Sequence, residues 1–261
     1  MGCKNKLISL LIVFKLMNFE NVAQISDVSV READVLWSKK IWRIIERKEN
    51  INTPIFYQNG TKNRNVTLFD LLKMALLRGE LSAYKSDNFH LNEKPLTKLE
   101  IIESIIKTKN KSEYIINSSG DEFQMVKHSR DTLASTEILQ YLTMEEWFFD
   151  KSRSVMDFRL IALAPVIYSE AEERNMPLFW LYYPHCINLF SNFNALGSVC
   201  EDKTISFDRI FRTRRYSAVI YKESNLYDRE INDYQFGMDQ LLESEKIKED
   251  VIKFECDLWQ W

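Results

Sequence analysis

The chain has 261 residues, 45% of them apolar and 28% charged, with a formal charge of −3. That composition excludes a disordered polymer, and the mild acidity excludes a general attraction to nucleic acid. Aromatic residues reach 13%, six of them Trp, and large rings outside a catalytic pattern point to extended packing or interaction surfaces.

The first residues form a segment of their own. Lys4 and Lys6 precede the apolar run LISLLIVF at 7–14, Lys15 ends it, and the small Ala23 follows. This is the three-part layout of a cleaved secretory leader, expected over 1–23, with a core strand or a buried helix start as the alternative. The run is far shorter than the about 20 residues that span a bilayer, and no later stretch is long enough either, so no transmembrane segment is expected. Cys3 precedes the apolar run, the wrong order for a lipid anchor. Without 1–23 the formal charge becomes −5, and 24–261 reads as a single domain with a sub-boundary near 107–135.

Helical signals come next. Ser29 and Glu32 have capping-box spacing, and Ala33, Leu36, Trp37, Ile41, Ile44 and Ile45 follow at helical intervals. Thr67 and Asp70 open a second helix with Leu68, Leu71, Leu72, Ala75 and Leu76 on one face, stopped by Gly79. Thr97 and Glu100 form another capping box, stapled by Leu96 and Ile101. Residues 107–135 are polar and read as a short strand with loops, and 136–148 read as helical. Beyond residue 150 the character changes. The runs VMDFRLIALAPVIY (155–168) and LFWLYY (178–183) are rich in β-branched and aromatic residues and predict strands. Helix is expected again over 207–222 and from 238 to the end. The resulting expectation is an α+β fold, mostly helical, with a small antiparallel sheet in the second half.

Catalytic patterns are scarce. Six scattered glycines exclude a phosphate-cradling loop, and His90, His128 and His185 lack metal-ligand spacing. Neither a catalytic nor a metal or cofactor set emerges. Glu145, Glu146, Asp150 and Asp157 cluster beside Trp147, Phe148 and Phe149. Two such carboxylates flanking a pocket suit glycoside hydrolysis, and a structural network with Lys151, Arg153 and Arg159 is the plainer reading. Arg209, Arg212, Arg214 and Arg215 suit a solvated face or a protein contact. Cys186 and Cys200 are close enough in sequence to close a short loop if oxidised, and three inert thiols with Cys256 are the alternative.

Five segments carry a resemblance: READVLWSKKIWR (31–43), EEWFFDKSRSVMDFR (145–159), LFWLYYP (178–184), YKESNLYDR (221–229) and ESEKIKEDVIKFECDLW (243–259). In this order they resemble the gliding-motility protein N family, GldN, called PorN in non-gliding secretors. The resemblance implies a structural, non-enzymatic subunit of the periplasmic ring of the type IX secretion machinery, under the outer membrane. It also implies self-association in that ring, a lipoprotein partner of the GldK/PorK kind, and contact with a periplasmic motor subunit of the GldM/PorM kind. No cofactor or catalytic residue comes with it. Aromatic and Arg anchors dominate protein interfaces, so the contact candidates are Trp37, Trp42, Trp147, Arg153 and Trp259. The competing readings are a secreted hydrolase using Glu145 or Glu146 with Asp157, and a free periplasmic binding protein.

Overall fold

A computed structural model describes residues 31–57, 66–85, 89, 94–116, 122–170, 172–195 and 205–258. The leader at 1–23, Ser29, His90, Cys200 and Trp259 lie outside the described residues. The chain divides into two compact units, Met1–Arg31 and Glu32–Trp261, and the described strands and helices belong to the second.

In chain order the main elements are β1 (Val35–Glu46), α1 (Leu68–Arg78), β2 (Ala83–Tyr84), α2 (Lys98–Ile105), β3 (Ile106–Ile116), β4 (Glu122–Thr132), β5 (Gln140–Asp150) and β6 (Val155–Ser169), with a single helical turn at Thr53–Phe56 after β1. They continue with β7 (Arg174–Pro177), β8 (Trp180–Tyr182), α3 (Tyr183–Asn192), β9 (Asn194–Ala195), β10 (Ile205–Ser206), α4 (Phe207–Arg212), β11 (Val219–Glu223) and α5 (Met238–Leu258). A seven-stranded sheet runs β11-β1-β5-β6-β8-β2, with β7 also on β6, and every pairing in it is antiparallel.

This corrects the expected fold class. The protein is α+β, but a large antiparallel sheet, not a mostly helical body, is its frame, and the sheet begins at the first described strand. The stretches around 30–45 and 136–148, both expected as helices, are the paired strands β1 and β5. Their composition explains why. VLWSKKIWRIIE and QYLTMEEWFFD are rich in aromatic and β-branched residues, whose strand preference is realised through cross-strand partners. Trp37 pairs with Phe149, Trp42 with Met144 and Ile45 with Tyr141. Apolar residues at 37, 41 and 45 fit a helical stripe and one face of a strand equally well, and the partner decides. The 107–135 region differs too, since β3 and β4 form a hairpin of 11 residues a side. Helix over 207–222 stops at Arg212, and 219–223 is the edge strand β11.

The capping signals of α1 and α2 hold, whereas the box expected at Ser29 and Glu32 opens no α-helix in the described residues, which run into β1. Thr67 Oγ1 accepts from the Asp70 amide at 3.1 Å, and Gly79 ends α1 in the left-handed region at φ 76°. Thr97 and Glu100 form the reciprocal box that opens α2.

Alternation along β1 sorts the core. Ile41 and Ile45 point to one side and Trp42 to the other. On the first side, Ile45, Tyr141 and Leu163 pack with Leu72 of α1, Phe190 of α3 and Phe211 of α4. Farther along that side, Ile41 and Ile220 meet Ile247 and Val251 of α5. On the opposite side Trp42, Met144, Ala162 and Ala164 join Tyr84, Phe89 and Trp180.

Candidate interaction surface

Beyond β11 the chain builds a short rigid frame. The Asn225 side chain accepts from the amides of Tyr227 (3.1 Å) and Arg229 (3.0 Å) and donates to the carbonyls of Glu223 (3.0 Å) and Arg229 (2.7 Å). Asp228, at φ 52°, closes the turn and meets the Lys222 ammonium at 2.8 Å. Lys222 is itself buried, its charge 5.0 Å from the Trp42 ring centre. A turn held this firmly presents its remaining side chains outward. Leu226 is 91% exposed and Tyr227 71%. Arg229 lies over both Tyr227 and Tyr234.

The apolar display continues into α5. Only Ser244, Ile247 and Val251 of that helix are buried, with Phe254 half-buried beside them. This narrow stripe at helical spacing leaves the first turns unpartnered. Phe236 (76%), Met238 (69%), Leu241 and Leu242 are all exposed. Single exposed apolar residues are ordinary, but a concentration of them marks an interaction site. Sequence reasoning missed this strip, although its signal was present: the apolar residues between 226 and 242 fall outside the stripe that docks α5.

The nominated aromatics are mostly committed inside the fold. Trp42 is buried. Trp37 is half-buried and stacks on Phe254 with ring centres 4.7 Å apart, fastening α5 to the sheet. Trp147 stacks on Phe158 at 5.7 Å and donates its Nε1–H to Glu145 at 3.1 Å. Arg153 bridges Asp150 (2.6 Å) and Asp157 (3.0 Å) at the turn between β5 and β6. Ser152 adds its hydroxyl and amide to Asp150, and with Arg153 these hydrogen bonds hold that carboxyl down at about 2. Hydrogen bonding to Asp150, ahead of that to Asp157, raises the Arg153 guanidinium in turn.

Glu145 is the chemical centre of the interior. It has no exposed surface, yet three donors converge on it: an Arg214 Nη, the Tyr216 hydroxyl at 3.2 Å and the Trp147 indole. Arg214 stands at φ 52°, its guanidinium 4.3 Å from the Trp147 centroid and 3.9 Å from that of Phe158. Burial lowers the Arg214 pKa, opposed by the Glu145 charge, and burial raises that of Tyr216. A buried carboxylate satisfied this way is a structural ion pair.

The hydrolase arrangement meets a geometric obstacle. Adjacent strand residues face opposite sides, so Glu145 and Glu146 are separated by the sheet. Asp157, in register with Phe148, lies on the Glu146 side. Glu146 is held by Arg159 at 2.6 Å and Asp157 by Arg153. Among the described residues no group of three His, Cys, Asp or Glu could hold a metal ion. Cys186 is a buried free thiol in α3, its pKa pushed up to about 12 by burial. Cys200, its suggested partner, lies outside the described residues. No helix among the described residues is long and apolar enough to cross a membrane.

A family model described as gliding motility associated protein GldN matches residues 30–260. The chain belongs to the GldN family. That makes it a component of the gliding-motility and type IX secretion machinery, in a family of structural components that is not a known enzyme family. Nothing among curated proteins matches it.

Proposed function

We propose that this GldN-family chain is a structural subunit of the periplasmic ring of the type IX secretion and gliding machinery, bound beneath the outer membrane to a GldK/PorK-like lipoprotein. The observation that carries the reading is the apolar strip at 226–242, held out on a turn whose own polar groups are satisfied. A ring subunit needs two different patches, because head-to-tail contacts close a ring only when each copy presents both. The strip supplies one of them. The leader expected at 1–23 supports a periplasmic location, and contact with a GldM/PorM-like motor subunit fits the same machinery. The charged residues of the hydrolase reading are all engaged in ion pairs, Glu145 on one face of the sheet and Glu146 and Asp157 on the other, which leaves the scaffold as the stronger reading.

The test is the native size and the companions of the tagged protein, gently extracted from the cell envelope. Recovery in a megadalton-scale assembly with a lipoprotein in stoichiometric amount is expected. A lone monomer-sized species, under extraction that keeps other envelope complexes intact, would overturn the proposal.

A further inference from the structure

The two apolar clusters on the inner side of the sheet do not merge. Along β1, Ile45 belongs to the cluster under α1, α3 and α4, Ile41 belongs to the cluster under α5, and Arg43 lies between them. Its neighbours in register are Thr143 on β5 and Ile220 on β11. Next along β5 on the same side come Glu145 and then Trp147, and Arg214 and Tyr216 reach in from the segment after α4. A polar seam therefore crosses an otherwise apolar face.

The charges in that seam do not balance. Two guanidiniums, Arg43 and Arg214, reach this stretch of the sheet: Arg43 stands opposite Thr143, and Arg214 binds Glu145, the next residue on that face. One carboxylate, Glu145, answers them, and its two oxygens are already taken by three donors. Among the described residues no carboxylate forms an ion pair with Arg43. The Nε atoms of Arg43 and Arg214 and the Thr143 hydroxyl are all buried without a hydrogen-bond partner. Thr143 has no exposed surface at all, whereas Arg43 is half-buried and the Arg214 side chain is 21% exposed. The aromatic planes of Trp147 and Phe158 fix the Arg214 guanidinium in orientation.

One carboxylate beside two guanidiniums leaves the seam with a net positive charge, and the planar fork of Arg matches the geometry of carboxylates and phosphates. We propose that this seam binds a single oxyanion, with Arg43 and Arg214 as its charged ligands and the Thr143 hydroxyl as a neutral donor. The ligand is a carboxylate or a phosphate-like group, supplied by an acidic segment of a partner or free in solution. Binding of this kind is independent of the ring reading, since it depends on charge and geometry within one chain.

The purified full chain is melted in inorganic phosphate and in chloride at matched ionic strength, beside the variants Arg43→Gln and Thr143→Val. Phosphate also stabilises proteins by exclusion from their surfaces, so the readout is the part of the shift that the variants lose. The wild type is expected to gain about 2–4 °C at a phosphate concentration a few times its dissociation constant, and more as the concentration rises. Arg43→Gln should lose that gain. Thr143→Val, which keeps the side-chain shape, should fold normally and lose much of it, and it decides the matter if Arg43→Gln does not fold. A Glu-rich peptide as second probe separates the sources: a gain at peptide concentrations where phosphate is inert assigns the carboxylate of a partner, and a gain with phosphate alone assigns a free anion. No gain with either probe, or equal gains in the wild type and every folded variant, overturns the proposal.

Discussion

Glu145 and Leu226 invert the usual rule of burial. The carboxylate has no exposed surface, while the leucine is 91% exposed. Each inversion is built by its surroundings. Around Glu145, an arginine, a tyrosine and a tryptophan from different parts of the chain supply the hydrogen bonds that water would have given. Around Leu226, Asn225 and the Lys222–Asp228 pair satisfy the turn so fully that its apolar side chains are left to face outward. At these two places polar groups fix the structure and apolar groups are left to the surface. The charge of Glu145 therefore reports on stability, and the exposed apolar area around Leu226 reports on partners.

The largest effect should come from Glu145→Gln. Removing one partner of a buried pair leaves the other uncompensated, at a cost of about 3–5 kcal/mol, read as a lower urea midpoint. A midpoint close to that of the wild type would show that the seam is wetter than its burial implies. Trp147→Phe keeps the ring under Arg214 and removes one donor to Glu145. It should cost about 2 kcal/mol, as for a hydrogen bond to a charged group, and leave assembly untouched. Loss of assembly at unchanged stability would return Trp147 to the contact residues that the sequence suggests.

Acid sharpens the comparison at the other end of β5. The Asp150 pKa is depressed in the folded chain, so its contribution is present above the ordinary carboxylate pKa and lost as pH falls from about 4 toward 2. Asp150→Asn should flatten the stability profile over that window and leave the profile at neutral pH parallel to that of the wild type. An unchanged acid profile would mean that the Ser152 and Arg153 hydrogen bonds do not persist in solution.

Legibility in the sequence follows the range of the interactions. The starts of α1 and α2 are readable because Thr67 and Thr97 find their partners three residues away. The strands β1 and β5 are not, because Trp37, Ile41 and Ile45 satisfy two periodicities and their partners lie far along the chain. Nothing in EEWFFD says which glutamate is buried, since that depends on which face of β5 meets Arg214 and Tyr216, far along the chain. Trp42 and Trp147 are legible as important, but sequence does not distinguish a ring that anchors a partner from one that anchors a neighbouring strand. The strip at 226–242 has a readable trace in apolar residues that the docking face of α5 does not use.

The most direct measurement joins stability and assembly in one variant carrying Leu226→Ser, Phe236→Ser and Met238→Ser. All three side chains are exposed, so each change should alter stability by no more than about 0.5 kcal/mol. The account predicts a near-normal unfolding midpoint together with loss of the high-mass envelope assembly. Full recovery of that assembly from a normally folded variant would contradict it.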